Sequence, residues 1–253
     1  MNIKVEDFFF ESNTIPHIKE EEYQQKIEIL LQFAQAFARS THQCVYVIDY
    51  FKQNFLYASG NLAMWCGEDA EDMRNQGYQF YLKHIPQEDL EMLTEINHKG
   101  FQFYEKLPLE ERLKYTISYD FHLVNGRMNR LVHHHLTPIL LTPDGRIWLA
   151  LCTISMSAHD TPGHILLQKE NSSYVYEYIR KQHEWVKKEG VTLSTMEHQV
   201  LTLSAQGYTM NEIADMLCRS IDTIKTCRRQ LFARLCVKNI VEAISYATNY
   251  RLL

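Results

Sequence analysis

The sequence predicts an α+β chain in two parts, a five-stranded antiparallel sheet with helices followed by an all-α domain of four short helices. Three observations carry this reading. Between Gln43 and Ser157, short β-like runs alternate with turn signals. From Leu193 onward, apolar residues recur at helical spacing behind Ser and Thr caps. The length of 253 residues suits two domains, at roughly 150 residues per domain.

In the first part, Glu20 to Arg39 carries Ile27, Leu30, Leu31, Ala34, Phe37 and Ala38 as one apolar stripe, so residues 1–40 read as an N-terminal helical cap. Strands are expected at Cys44–Asp49, Phe55–Ser59, Thr116–Val124, Arg127–Ile139 and Arg146–Met156, within a domain spanning 41–157. Asn125-Gly126 and the stretch Pro143–Arg146 join the last three strands as antiparallel neighbours. Helices around Leu62–Cys66 and Gln87–Lys99 fall between the second and third strands. In the last strand both alternating sets are apolar, Ile147, Leu149 and Leu151 against Trp148, Ala150, Cys152 and Ile154. Such a strand is covered on both faces, and the helix over 20–39 is the expected lid on one of them. Residues 158–190 read as a linker whose stretch Tyr174–Lys188 suits a helix, and 191–253 as the second domain.

Composition narrows the function classes. A hydrophobic fraction of 45% and a charged fraction of 23% are those of a globular chain. No stretch reaches the roughly 18 apolar residues of a membrane span, and Met1 to Ser12 lacks the pattern of a signal peptide, so the expected location is the cytoplasm with no membrane partner. The six cysteines contain no CxxC pair and read as reduced thiols, with Cys218, Cys227 and Cys236 taken as small buried residues. The net charge is −5, but from Val191 onward seven Lys/Arg face five Asp/Glu, a net of +2 that leaves −7 for residues 1–190. That asymmetry permits a nucleic-acid-binding tail on an acidic body.

The C-terminal residues give the densest signal. Ser194 and Glu197 have capping-box spacing, Gly207 stops the first helix, and Thr209 caps a second with Ile213, Ala214 and Leu217 inward. Ser220 or Asp222 opens a third helix running to about Leu235, its buried side Ile224, Leu231 and Leu235 and its other side Lys225, Thr226 and Arg229. A helix presenting long cations and a small hydroxyl on one face suits the major groove of double-stranded DNA. Arg228, Arg234 and Lys238 are placed nearer the phosphates. A fourth helix from about Asn239 to Asn249 has Ile240, Ala243, Ile244 and Ala247 as its core stripe and Val241, Ser245, Thr248 and Asn249 off it.

These residues resemble the LuxR-type four-helix DNA-binding domain. The match runs through Leu193, Glu197, Val200, Leu201, Gly207, Glu212-Ile213-Ala214, Leu217, Ser220, Thr223-Ile224-Lys225, Leu235, Asn239 and Glu242-Ala243 over residues 191–250. The resemblance implies a sequence-specific transcriptional regulator that dimerises on DNA through the fourth helix, with contacts expected at Thr223, Lys225, Thr226, Arg228, Arg229, Arg234 and Lys238. Thr195-Met196 and Cys227 depart from the family's usual Pro-Arg and His. The first part resembles the PAS sensor fold, through Val45-Tyr46-Val47-Ile48-Asp49, Met64-Trp65-Cys66-Gly67 and Ile85-Pro86-Gln87-Glu88-Asp89-Leu90. That resemblance implies a homodimer and a small-molecule ligand whose binding residues and cofactor stay unknown, with a protein-interaction module and a haem-binding sensor as alternatives.

No nucleophile elbow, Walker loop, zincin helix or dinucleotide fingerprint occurs, so no enzyme and no catalytic residue is expected. In His133-His134-His135 the strand period puts two rings on one face and one on the other. No third ligand stands at a fixed spacing, so these read as polar strand residues at a sheet edge or wet pocket, with no metal. Asp49 lacks the acidic pair that a phosphoacceptor needs, because Gln32 to Val47 contains no carboxylate.

Overall fold

The computed structural model describes residues 3–41 and 43–253; Met1 and Asn2 of the N-terminal stretch read above lie outside it, as do the side chains of residues 12 and 62–64, including that of Met64 in the second PAS-like motif. Two compact units form, Met1–Ser155 with Thr161–Lys188, and Met156–Asp160 with Glu189–Leu253.

The first unit holds α1 (Glu20–Thr41), β1 (Cys44–Asp49), β2 (Asn54–Ala58), α2 (Gly60–Cys66), α3 (Ala70–Gln76), α4 (Gln79–His84), α5 (Gln87–Glu105), β3 (Tyr115–Asn125), β4 (Met128–Leu141), β5 (Ile147–Met156), β6 (Gly163–Lys169), β7 (Tyr174–Ile179) and β8 (Glu184–Glu189). The strands make one sheet in the order β2-β1-β5-β4-β3-β6-β7-β8. Its first five members are the strands expected from the sequence, with helices between the second and third as the PAS resemblance implies. Asn125 pairs with Met128, so β3 and β4 close through a two-residue loop in which Gly126 takes φ +57°. That sign at the first loop position is the one a tight hairpin requires and glycine supplies without strain.

Residues 163–189 correct the expectation of a linker with a helix at 174–188. They add three strands, and β6 pairs antiparallel with both β3 and β7. Along β6, Gly163, Ile165 and Leu167 are buried while His164 and Gln168 are exposed. The Tyr-Val-Tyr-Glu-Tyr-Ile run of β7 is dense in aromatic and β-branched residues, which favours a pleated surface over the helix read from Tyr174 to Lys188. These strands close over the end of α5. Phe103 meets the rings of Tyr176 and Trp185 at 5.0 and 5.7 Å, Tyr178 Oη donates to Glu95 Oε1 at 2.7 Å, and Trp185 Nε1 donates to the Lys99 carbonyl at 3.2 Å.

Two helices cover the sheet. Asp89 on α5 is buried and accepts from the backbone N–H and the Nδ1 of His122 on β3, at 2.6 and 2.8 Å, so the carboxylate of the Pro-Gln-Glu-Asp motif is an anchor between helix and sheet. On α1, Tyr23, Ile27, Ala34 and Ala38 are buried, and Tyr23 packs on Trp148 at 6.0 Å between ring centres. The Tyr23 hydroxyl donates to Asp49 Oδ2 at 2.6 Å, and Asp49 also accepts from the N–H groups of Phe51 and Lys52. Burial raises the carboxyl pKa of Asp49, and these hydrogen bonds oppose the rise.

A hydrogen bond to a buried carboxylate contributes about 1.5–3 kcal/mol. Tyr23→Phe should therefore destabilise the full chain by about that amount, read as a lowered urea midpoint at unchanged slope. A stability within about 0.3 kcal/mol of the parent protein would refute the anchoring role of this bond.

Candidate functional site

The second unit is built by cap chemistry. Ser194 caps α6 (Thr195–Ala205), Thr209 caps α7 (Met210–Met216), Ser220 caps α8 (Ile221–Leu235) and Asn239 caps α9 (Ile240–Asn249). In each of α6 and α7 the hydroxyl accepts from the N–H three residues on while Glu197 or Glu212 reaches back to the cap N–H, at 2.8 and 2.7 Å. Gly207 turns the chain after α6 at φ +91°. Two apolar clusters lie under the helices, one around Leu201, Leu231, Leu235, Ala243 and Ala247 and one around Val200, Ile213, Ala214, Ile224 and Cys227.

The cysteine reading needs correction at two positions. Cys227 is buried, but Cys218 and Cys236 are exposed. Each sits in the left-handed region, at φ +52° after α7 and +56° at the end of α8, so these two thiols mark helix ends rather than core.

Every expected DNA contact lies on α8 or just beyond it. Lys225, Thr226 and Arg229 are exposed and share one face. Arg228 is half-buried, its guanidinium 5.5 Å from the Phe232 ring centre on the flank of that face. The Thr223 hydroxyl bonds that of Ser220 at 2.8 Å, inside the helix start. Arg234, although exposed, lies back along its own unit, where it pairs with Glu197 at 2.6 Å and donates to the Thr192 carbonyl at 2.6 Å. Lys238 pairs with Asp160. Gln230, one turn on from Thr226, is exposed on the same side as the cations. The sequence reading passed over it, although its i+4 spacing was the available signal.

On α9, Val241 and Thr248 are exposed, but Asn249 is buried and donates to the Met156 carbonyl at 3.0 Å, and Ser245 reaches the same oxygen at 3.4 Å. The stretch Met156–Asp160 thus covers half of the face expected to be open.

The Glu197 carboxyl feels burial most strongly, which raises its pKa. Hydrogen bonds from the Ser194 N–H and hydroxyl and the pair with Arg234 outweigh that and hold it below the ordinary value of 4.5. A carboxyl depressed by folding stabilises the native state above its unfolded pKa and loses that contribution as pH falls through the native one. Arg234→Ala should accordingly cost about 1 kcal/mol at pH 7, with the difference from the parent closing as the pH is taken below 4.5. Arg229→Ala should stay within about 0.5 kcal/mol of the parent. Equal melting of Arg234→Ala and the parent at pH 7 would refute the pairing role of this side chain.

In the first unit, Phe8, Tyr46, Tyr50, Tyr78, Tyr81, Leu93, Asn97, Tyr119, Phe121 and Leu136 surround a cavity of about 30 Å³. A second of about 20 Å³ adjoins it through the shared lining of Asn97, Tyr119 and Leu136. The hydroxyl of Tyr46 bonds Tyr81 Oη at 2.6 Å and His134 Nε2 at 2.7 Å. Burial holds His134 well below its ordinary pKa, so its ring is neutral, and its buried Nδ1 has no hydrogen-bond partner in the structure. Burial also raises the pKa of Tyr46, Tyr50, Tyr81 and Tyr119, so their hydroxyls keep their protons. Phe8 closes the cavity from the N-terminal side. Its ring meets Tyr78 and Tyr81, and its carbonyl accepts from Asn97 and Asn13. Of these lining residues only Tyr46 and Ile48 stood in a motif read from the sequence; the others converge from the N-terminal segment, α4, α5, β3 and β4 and from the chain beside them.

Among the described residues, no helix is long and apolar enough to cross a membrane. Residues 191–247 match the family described as bacterial regulatory proteins, luxR family. No curated protein matches the chain. Among solved structures, the chain is similar to the phage VqmA–DPO complex, at 18% identity over 92% of each chain with a TM-score of 0.32. It is similar to the Vibrio cholera VqmA–ligand–DNA complex at 14% identity, covering 93% of this chain and 90% of that one with a TM-score of 0.33. It also resembles the N-terminal domain of a diguanylate cyclase with PAS/PAC sensor from Marinobacter aquaeolei, at 10% identity over 44% of this chain and 92% of that one with a TM-score of 0.35. With its family match from 191 to 247 and its four capped helices, the second unit contains a LuxR-type helix-turn-helix domain.

Proposed function

We propose that this chain is a cytoplasmic, non-enzymatic transcriptional regulator that binds double-stranded DNA as a homodimer and adjusts that binding when a small neutral molecule enters the aromatic cavity of its first unit. The observation that carries the DNA reading is the exposed face of α8 inside a luxR-family match, on which Lys225, Thr226 and Arg229 stand together as a groove-reading helix would need them. Arg228 and Lys238 flank that face as phosphate contacts, Thr223 sits at the helix start, and Arg234 contributes through its hold on Glu197 as well as through its charge.

The ligand reading rests on the chemistry of the cavity wall. Aromatic faces and phenol hydroxyls, with the neutral imidazole of His134 behind Tyr46 and no ionised group in the lining, suit a compact uncharged molecule with one or two polar atoms. Spaces of about 30 and 20 Å³ are far too small for a haem, so any ligand larger than a few atoms requires the wall to yield.

The dimer reading rests on two arguments. One recognition helix reads too few base pairs to select a genomic site. On α1, Ile29 and Phe33 are 70% and 63% exposed and continue into Phe37 at i, i+4 and i+8, an apolar stripe that a second copy of the helix would cover.

Selection of binding sites from random DNA by the full chain tests the central reading. A recovered two-fold site is expected, and Arg229→Ala should lose about 1–3 kcal/mol and relax preference at one base pair. Loss spread evenly over all sequences would overturn the base-reading role. Native mass spectrometry tests the other half: a dimer is expected from the parent and a monomer from Phe33→Glu. A retained small molecule supports the cavity reading, whereas its consistent absence favours a protein-interaction module instead.

A further inference from the structure

The outer face of the sheet, opposite the cavity, carries a second cluster that DNA binding and ligand binding leave unused. Asp120 on β3 pairs in register with His133 on β4, and both side chains are buried, at 0% and 1% exposure. The His133 Nδ1–H donates to Asp120 Oδ1 at 2.5 Å, and His133 Nε2 stands 3.1 Å from His135 Nε2. His164, at the start of β6 beside Asp120, brings a ring nitrogen to within 4.8 Å of the same carboxylate.

From this geometry we infer a transition-metal site in which His133 Nε2 and His135 Nε2 are ligands and Asp120 orients His133. Zinc–imidazole bonds are about 2.0–2.1 Å long, so two such ligands at a tetrahedral angle stand about 3.4 Å apart. The observed 3.1 Å is within a few tenths of that spacing. The Asp120 carboxylate fixes the proton of His133 on Nδ1 and leaves its Nε2 lone pair to the ion, the carboxylate–histidine–metal arrangement that tunes ligand orientation and basicity. His135 donates its Nε2 proton into the present hydrogen bond; when the ion binds, that proton moves to its Nδ1, and if the ring is doubly protonated one proton passes to solvent. His135 is half-buried, which gives the ion an entry side, and water completes the coordination. Imidazole ligands suit zinc, copper and nickel rather than magnesium or calcium. Strand alternation puts His134 between the two ligands and on the opposite face, bonded to Tyr46 in the cavity wall. Ion and cavity ligand therefore act on the same three residues of β4.

The test is titration of the chelator-treated full-length chain with zinc chloride by calorimetry and with cobalt(II) chloride by absorption. One ion per chain is expected, with at least a tenfold weaker affinity in His135→Ala and a 10–100-fold weaker one in Asp120→Asn. His135→Cys should restore tight binding and add a thiolate-to-cobalt charge-transfer band, which keeps the test decisive even where the Ala variant melts early. Absence of saturable binding, binding unchanged in His135→Ala, or a Cys variant with no such band would each overturn the assignment.

Discussion

The first unit depends on β5 being buried on both faces. Ile147, Trp148, Leu149, Ala150, Cys152 and Ile154 are all buried, so a layer is needed on each side of this strand. On neighbouring β1 the same demand shows residue by residue. Tyr46, Ile48 and Tyr50 line the cavity under α5, while Asp49 between them takes the hydroxyl of Tyr23 from α1. Each helix is then tied by a buried carboxylate rather than by apolar packing alone, Asp49 for α1 and Asp89 for α5. Apolar contact is non-directional and leaves a helix free to slide, whereas a carboxylate that accepts two or three donors fixes its register.

The period-2 alternation of a strand explains why one histidine triplet serves two environments. On β3, Tyr119 and Phe121 point into the cavity and Asp120 points away; on β4, His134 pairs with Tyr119 and His133 with Asp120. His134 is therefore surrounded by the Tyr46, Tyr119 and Phe121 rings and kept neutral, while its neighbours meet a carboxylate and each other. Three identical side chains in a row acquire different chemistry because the backbone turns successive residues to opposite faces.

How legible a segment was in the sequence followed how local its determinants are. The four helices of the second unit and their stops were readable because Ser194, Thr209, Ser220 and Gly207 act within a few residues of themselves. The first five strands were readable from alternation and the Asn125-Gly126 turn. Strands β6 to β8 were not, since β6 reads as linker and the charges of β7 and β8 suggest a helix, while the reason they are strands, pairing on β3 and packing on α5, lies far away in sequence. The cavity was illegible for the same reason. The cations of α8 were found, but the ion pair of Arg234 was not, because its partner Glu197 lies 37 residues earlier on another helix.

That ion pair bears on how the second unit presents charge. From residue 191 it carries five carboxylates, and three of them, Glu197, Glu212 and Glu242, are hydrogen-bonded to backbone N–H groups at the starts of α6, α7 and α9. There the helix macrodipole and the unpaired N–H groups stabilise negative charge. Asp222 sits beside Lys225 at 3.5 Å, a solvent-exposed pair that is worth little. The net charge of +2 thus understates the field at α8. Cap chemistry that builds the helices also draws most of the negative charge to their N-termini, and Lys225 and Arg229, with Arg228 on the flank, are left as the dominant charges on the exposed side of α8.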